Sequence, residues 1–409
     1  KYIKRDLNRI LPKKLNYVHS VRDFIGQVYE VKKAGFVEAV IDFSQMDADD
    51  HSYYPNIVVP LATFLDFFQT AYDFTFSFEN IPKSIEHINL TVPTHAAKTH
   101  DYATVLNKIW YFDSPEDVFK LVTEYMDAIY KVDSFSSSDV LNWLEWCLNE
   151  VMDNVIQHSE AEKGFIMGQV HPTTKHIAFC IGDSGRGILE SLRTSKDFWP
   201  NDAEDALVLA LKEGVTRDKN VGQGNGLWGL HEVAVKSSGK LRLASSGKIL
   251  FVDEEGQVYS YPPFMGRTRT GTIVDFQLDY SAPIVLTDIL NGHNPDSLKM
   301  MMSASEQSDD LVDYHLSQQK SGFGTRKSGE RIRNEVMNML LSSEMINIDF
   351  TGINMVSSSF ADELIGKMYV EIGPLYFSQK VQLTNMNATV QAITNKAIIQ
   401  RMAQESLSK

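Results

Sequence analysis

Cysteine is scarce: the 409 residues hold two, Cys147 and Cys180. Both sit in apolar runs, which reads as buried free thiols in a reducing compartment. No Cys/His cluster has the ligand spacing of a zinc site. Long apolar runs are missing as well. The strongest, "NIVVPLATFLDFF", is broken by Pro60 and Asp66, short of the roughly 20 residues of a membrane span. No signal-peptide pattern opens the sequence, and the expected address is the cytoplasm. Basic charge is outweighed, with 39 Lys and Arg against 53 Asp and Glu and a formal charge of −14. That argues against non-specific binding to nucleic acid or to an anionic membrane, while leaving room for a local basic patch. A G-x-x-x-x-G-K-[ST] loop is absent, so this is not a P-loop NTPase by that test.

What remains is an ordinary globular composition, 43% hydrophobic and 22% charged, in a chain long enough for two to four domains. "VEAVIDF" (37–43) reads as a buried strand and "NIVVPLATFLDFFQTAY" as a helix with Pro55 near its start. "DFTFSFEN" alternates like a strand and completes a β-α-β unit. Residues 1–35 give no clear pattern, and 94–112 read as loop and a short connection. "SPEDVFKLVTEYMDAIYKV" predicts a helix capped by Ser114, and "SSSDVLNWLEWCLNEVMDNVIQHS" predicts another. "GFIMGQVH" and "KHIAFCIGDSG" suggest a strand pair, and residues 203–214 look helical. "GVTRDKNVGQGNG" (214–226) is a Gly-rich polar loop before a restarting helix. "KLRLASS", "KILFVDE" and "TGTIVDFQL" read as strands.

Residues 291–321 are polar and suit a linker. The last 90 residues read as a second α/β unit, with strands "MINIDFTG" and "KVQLTN" among helices. "AVIDFSQM" near the N-terminus echoes "INIDFTGI" near the C-terminus. The domains expected are 1–95, 96–285, a linker 286–320, and 321–409.

Four pieces carry chemistry. Glu150, Asn154 and His158 are spaced by four, so they share one helix face. An amide oxygen suits Mg²⁺, and a neighbouring carboxylate can activate water. Asp183 ends an apolar strand, with Gly185 and Gly187 after it. A carboxylate there can accept from an exocyclic amine such as that of adenine. Gly222, Gly224 and Gly226 strip side chains from a loop leading into a helix, a geometry suited to phosphates. That loop follows "TRDKNV" rather than a buried strand, which argues against the dinucleotide-binding form. "GT" (271–272) opens the last strand of the set.

In order and spacing these pieces, within residues 110–280, resemble the nucleotide site of the GHKL ATPases: gyrase B, the Hsp-ninety chaperones, histidine kinases and MutL. The resemblance implies a central two-layer α/β sandwich of the Bergerat type holding ATP and Mg²⁺, which with small flanking α/β domains makes an α+β fold. It implies that Asn154 binds Mg²⁺ and that Glu150 is the water-activating base or its orienting partner. Asp183 would read adenine, with Thr272 helping through water. Gly185, Gly187, Ile188, Gly222, Gly224, Gly226 and Leu227 would shape pocket and lid, and His158 would lie near the phosphates. The predicted helix at 114–132 contains no histidine, against an autophosphorylating kinase.

"INIDFTGINMVSSSFADEL" resembles the STAS fold of bacterial anti-anti-sigma factors. Asp349-Phe350-Thr351-Gly352 matches the strand end of that family, and Ser357-Ser358-Ser359 stands where it has Asp-Ser-Ser. By register Ser358 is the candidate phospho-acceptor; helix capping by serine is the alternative. "GFGTR" (322–326) suits a turn or a polar contact to a partner domain. The expected function is an ATP-operated switch with slow hydrolysis in bacterial signalling or stress and defence regulation. It would act as a homodimer, with protein partners bound through the STAS-like domains. The alternatives are a serine kinase of the anti-sigma type and a non-catalytic scaffold.

Overall fold

The computed structural model describes residues 7–46, 53–132, 139–195, 198–212, 226–261, 271–281, 311–319, 322–340 and 345–408. It is a mixed α+β protein that divides into two compact units. The first comprises residues 1–136, 154–211 and 234–282. The second comprises residues 137–153, 212–233 and 283–409.

The first unit opens with a small parallel sheet, β1 (Arg9–Ile10), β2 (Glu38–Asp42) and β3 (Thr75–Glu79), in that order. Helix α1 (Val18–Lys33) links β1 to β2, and α2 (Pro55–Tyr72) links β2 to β3. The stretch 1–35, patternless in sequence, therefore holds a strand and a helix. Pro55 sits in the first turn of α2, where its missing N–H costs nothing. The helix buries Ile57, Val58, Val59, Leu61, Ala62, Phe64, Leu65 and Phe68, so it is apolar around most of its girth. A helix of that kind needs neighbours on several sides. It packs against β6 and β7 of the larger sheet, sharing one core with Phe165, Met167 and Cys180.

The larger sheet has eight strands. In chain order they are β4 (Thr94–His95), β5 (Trp110–Phe112), β6 (Gly164–His171), β7 (His176–Asp183), β8 (Lys240–Ser245), β9 (Lys248–Val252), β10 (Val258–Tyr261) and β11 (Thr272–Asp279). Their spatial order is β10-β9-β8-β11-β7-β6-β5-β4. Neighbours are antiparallel except the pair β4 and β5. Strands β4 and β5 replace part of the loop expected over 94–112. Between β3 and β4 lies the short α3 (Lys83–His87). Helix α4 (Pro115–Val132) starts at Ser114, whose Oγ accepts from the Asp117 N–H at 3.3 Å, as its sequence predicts.

Successive residues of β7 face opposite ways. Cys180 is in the α2 core, whereas Phe179 meets Tyr125 of α4 edge-on at 4.9 Å. Asp183 has the parity of Phe179, so it faces away from α2. Helix α5 (Asp139–His158) runs through the division between the units, with Asn154 onward in the first. Two short helices follow, α6 (Gly187–Arg193) and α7 (Ala203–Ala210), the latter shorter than the expected 203–214. Helix α8 spans Gly226–Lys236.

The second unit holds another three-stranded parallel sheet, β12 (Leu311–His315), β13 (Met345–Asp349) and β14 (Val381–Thr384). Strand β12 lies inside the stretch expected to be linker, which moves the start of this unit's sheet to residue 311. Helix α9 (Arg326–Leu340) turns Ile332, Val336 and Leu340, four apart, onto the core. Helix α10 (Ser358–Ala361) continues through a π turn at Asp362–Gly366 into α11 (Lys367–Ile372). Helices α12 (Pro374–Lys380) and α13 (Ala388–Ser408) complete the chain. Among the described residues no helix is long and apolar enough to cross a membrane.

Candidate functional site

In the first unit the chemistry gathers where β7, β8 and β11 end together. Register pairs Thr272 with Asp183 on one side and with Ser245 on the other. Asp183 is 3% exposed. Its Oδ1 accepts the Gly185 N–H at 2.8 Å, and the Thr272 N–H also reaches the carboxyl. Burial pushes this carboxyl up to about 7, and those two N–H groups pull against the shift.

The glycines are there for space. A Cβ on Gly185 would lie 2.0 Å from the Ser159 carbonyl oxygen. Gly271 has φ +88°, and a Cβ there would meet the Asp183 carbonyl oxygen at 1.9 Å. Ser245 ties the cluster together. Its hydroxyl accepts the Ile188 N–H at 2.9 Å, donates to the Gly271 carbonyl at 2.9 Å, and lies 3.4 Å from the Thr272 hydroxyl. Gly187 is beside it: a Cβ there would be 2.8 Å from Ser245 Oγ. Sequence reasoning missed Ser245. The signal was its place at the end of β8, and its meaning depends on strand pairing.

Asn154 and His158 are half-buried on the last turns of α5. The His158 carbonyl accepts from Arg186 Nε at 2.9 Å, which pins the helix end beside the Gly185–Gly187 turn. Gly222 and Gly224 lie outside the described residues. Gly226 is buried at the start of α8, followed by half-buried Leu227.

The second unit gathers the rest. Glu150, half-buried on α5, accepts through Oε1 from the Ser359 N–H at 3.4 Å and also from the Ser358 N–H. Burial raises the Glu150 carboxyl to about 7, opposed by those N–H groups and by Arg326. Asp153, on the same helix, is pushed by burial and then by Glu150 to about 8. Ser357 is the N-cap of α10: its Oγ accepts the Phe360 N–H at 3.0 Å and lies 3.0 Å from Ser359 Oγ. Ser357 and Ser359 are 1% and 8% exposed, while Ser358 is half-buried. The capping expected of serines thus falls to Ser357, and Ser358 is the most accessible of the three.

Three more contacts lie within this unit. Gly324, in the "GFGTR" turn, lies against the Asn149 side chain, where a Cβ would be 2.4 Å from Nδ2. Lys396 of α13 lies 3.9 Å above the Trp228 ring, one residue past Leu227. Gly229 lies against Trp146 of α5, leaving no room for a Cβ.

One further cluster, His95, Asp113 and Asp117, brings three ligand-type atoms within 4.8 Å. His95 Nδ1 accepts the Ala97 N–H at 3.2 Å, so the neutral ring carries its proton on Nε2, 3.1 Å from Asp117. Asp117 also takes the Asp113 N–H. These contacts tie the start of α4 to β4 and the turn after it.

Residues 328–391 match the STAS-like domain of unknown function (DUF4325). The match spans α9 through β14 and into α13, and includes Asp349 and Ser358. A search of curated proteins finds no match to the chain.

Proposed function

We propose that the chain is a Mg-ATP-operated switch of the GHKL type, in which nucleotide binding and slow hydrolysis act on the STAS-like module. The observation that carries this reading is Asp183. A nearly inaccessible carboxyl, pinned by the Gly185 and Thr272 N–H groups, has an acceptor suited to an exocyclic amine. The residues around it fit an adenine nucleotide. Glycines stand where the backbone must come close, and Asn154 offers an amide oxygen to a hard cation.

In this reading Asp183 orients adenine, with Thr272 beside it, and Gly185, Gly187 and Ile188 shape the wall. Asn154 holds Mg²⁺, which neutralises phosphate charge when bound. Glu150, one turn earlier on α5, takes a proton from water as the water oxygen bonds the γ-phosphorus. The bond to the β-phosphate oxygen breaks, giving ADP and phosphate. His158 stands nearer the phosphates.

Coupling has a physical route within the second unit. The STAS-like module and its flanking turn touch Asn149 and Glu150 on α5 and Trp228 at the start of α8. Nucleotide that changes either helix therefore changes contacts to that module, as a two-state switch requires. We assign it to bacterial signalling or stress and defence regulation in the cytoplasm, as a homodimer with protein partners on the STAS-like surface.

A second reading is a serine kinase. Ser358 favours it, as the most accessible of three serines and with its N–H on Glu150. Calorimetry with Mg-ATP and Mg-GTP tests the main reading. ATP should bind and GTP should not, because guanine presents a carbonyl where adenine presents its amine. Equal affinity for both, or none for ATP, would overturn it.

A further inference from the structure

Glu150 and Ser359 are 209 residues apart in sequence, yet the carboxylate of one accepts the backbone N–H of the other. Charged and titratable neighbours surround Glu150. Cys147 and Asp153 are on its own helix, Arg326 begins α9, and Asp362 is in the π turn after α10. Arg326 is the only cation among them. Its guanidinium lies 3.3 Å from Asp362 and 3.2 Å from Glu363, and its buried Nε has no hydrogen-bond partner. The Ser359 N–H thus meets, at 3.4 Å, a carboxylate that the α5 sequence alone would leave on an open helix face, and the Ser358 N–H and Arg326 favour its charged form.

We infer that the STAS-like module and its leading turn supply positioning groups for Glu150: the Ser358 and Ser359 backbone amides aim its carboxylate, and Arg326 holds its charge in place. This rests on the nucleotide reading and adds to it. Undocked, Glu150 is a freely rotating side chain; docked, it has one orientation. A general base must sit within hydrogen-bond reach of its proton, and small misplacements are costly in rate. The module therefore works as a conditional part of the hydrolytic machinery, and a partner that draws it away from α5 slows turnover without touching nucleotide.

The donors are backbone groups, so the diagnostic substitution is proline. Position 358 is the first helical residue after the Ser357 cap, where proline fits. Ser357 already has ψ 158°, the conformation a following proline demands. Ser358→Pro deletes one donor and keeps the helix, whereas Ser358→Ala deletes the hydroxyl and keeps the donor. Arg326→Met removes the cation and Arg326→Lys retains it. Asp362 keeps Arg401, and Glu363 keeps Arg333 and Lys367, so the surrounding ion pairs survive either change.

The experiment measures kcat for ATP hydrolysis and Mg-ATP affinity by calorimetry in the full chain. Ser358→Pro and Arg326→Met should each lower kcat about 10- to 100-fold, with affinity within about twofold of the parent. Ser358→Ala, which keeps the amide, should lose clearly less than Ser358→Pro, and Arg326→Lys should recover most of the loss. Equal effects of Pro and Ala at 358, or an unchanged kcat in both Ser358→Pro and Arg326→Met, would overturn the inference. So would a parent protein that binds ATP without hydrolysing it. Failure to bind ATP at all would instead remove the nucleotide reading beneath it.

Discussion

Asp42 and Asp349 occupy the same place in two separate three-stranded parallel sheets. Each ends the middle strand. Asp42 Oδ1 accepts from the Ser44 N–H at 3.0 Å and from Asn80 Nδ2 at 2.8 Å. Asp349 Oδ1 accepts from the Thr351 N–H at 2.9 Å and from Asn385 Nδ2 at 2.8 Å. Both asparagines directly follow the third strand and have positive φ, 52° and 57°. The second carboxylate oxygen meets a cation in one sheet, Arg9, and an imidazole in the other, His315, each at 2.7 Å. The echo between "AVIDFS" and "INIDFT" is thus matched by geometry, donor for donor.

These matched networks make a stability prediction. The asparagine side chains lead in holding both carboxyls well below the usual carboxylate range. A folded pKa below the unfolded one gives stability that is present at neutral pH and lost as pH falls through the acid range. Asp42→Ala and Asp349→Ala should both lower the melting temperature at pH 7, and the deficit should shrink toward pH 3. Melts across that range check it.

Asp183 has the opposite sign. Its folded pKa is raised to about 7 by burial, so ionising it opposes folding. Its contribution is present below about pH 4 and lost as pH rises through about 7. Asp183→Asn should stabilise the nucleotide-free protein at pH 8 and abolish that part of the pH slope. In the parent, ATP affinity should rise between pH 6 and 8 as the carboxylate forms. Melts and calorimetry over this range read both effects.

Gly185 tests the cradle. Gly185→Ala forces a Cβ against the Ser159 carbonyl and should cost about 1–3 kcal/mol, with ATP affinity falling at least about tenfold. Gly26, in α1, has nothing within 4 Å of a Cβ. Gly26→Ala should raise stability by roughly 0.5–1 kcal/mol and leave affinity alone. Denaturant melts distinguish the two.

The fate of the phosphate separates the two functional readings. With Mg-ATP the switch releases ADP steadily and leaves Ser358 unmodified by mass spectrometry. A kinase marks Ser358. Glu150→Ala should cut turnover at least about 100-fold in either case.

Long elements were legible in the sequence because their periodicity is strong: α2, α4, α5 and the β6–β7 pair stand where it puts them. The short strands β2, β3, β9, β13 and β14 were legible too, but other short strands were not. Strand β5 is three residues, β10 is four and β12 is five, and each is defined by hydrogen bonds to a partner that its own residues do not announce. The candidate site divides the same way. Asp183 and its glycines are neighbours in sequence and were visible. Ser245 joins them only through the register of β8 with β11, and Ser359 reaches Glu150 across most of the chain.

The central claim is that Asp183 and Asn154 hold adenine and its magnesium. Calorimetric titration of ATP into the parent protein, Asp183→Asn and Asn154→Ala, each with and without Mg²⁺, tests it most directly. The account predicts Mg²⁺-strengthened binding in the parent, no detectable binding in Asp183→Asn, and binding in Asn154→Ala that Mg²⁺ no longer strengthens. A parent that binds no ATP, or an Asp183→Asn protein that binds it unchanged, would contradict the account.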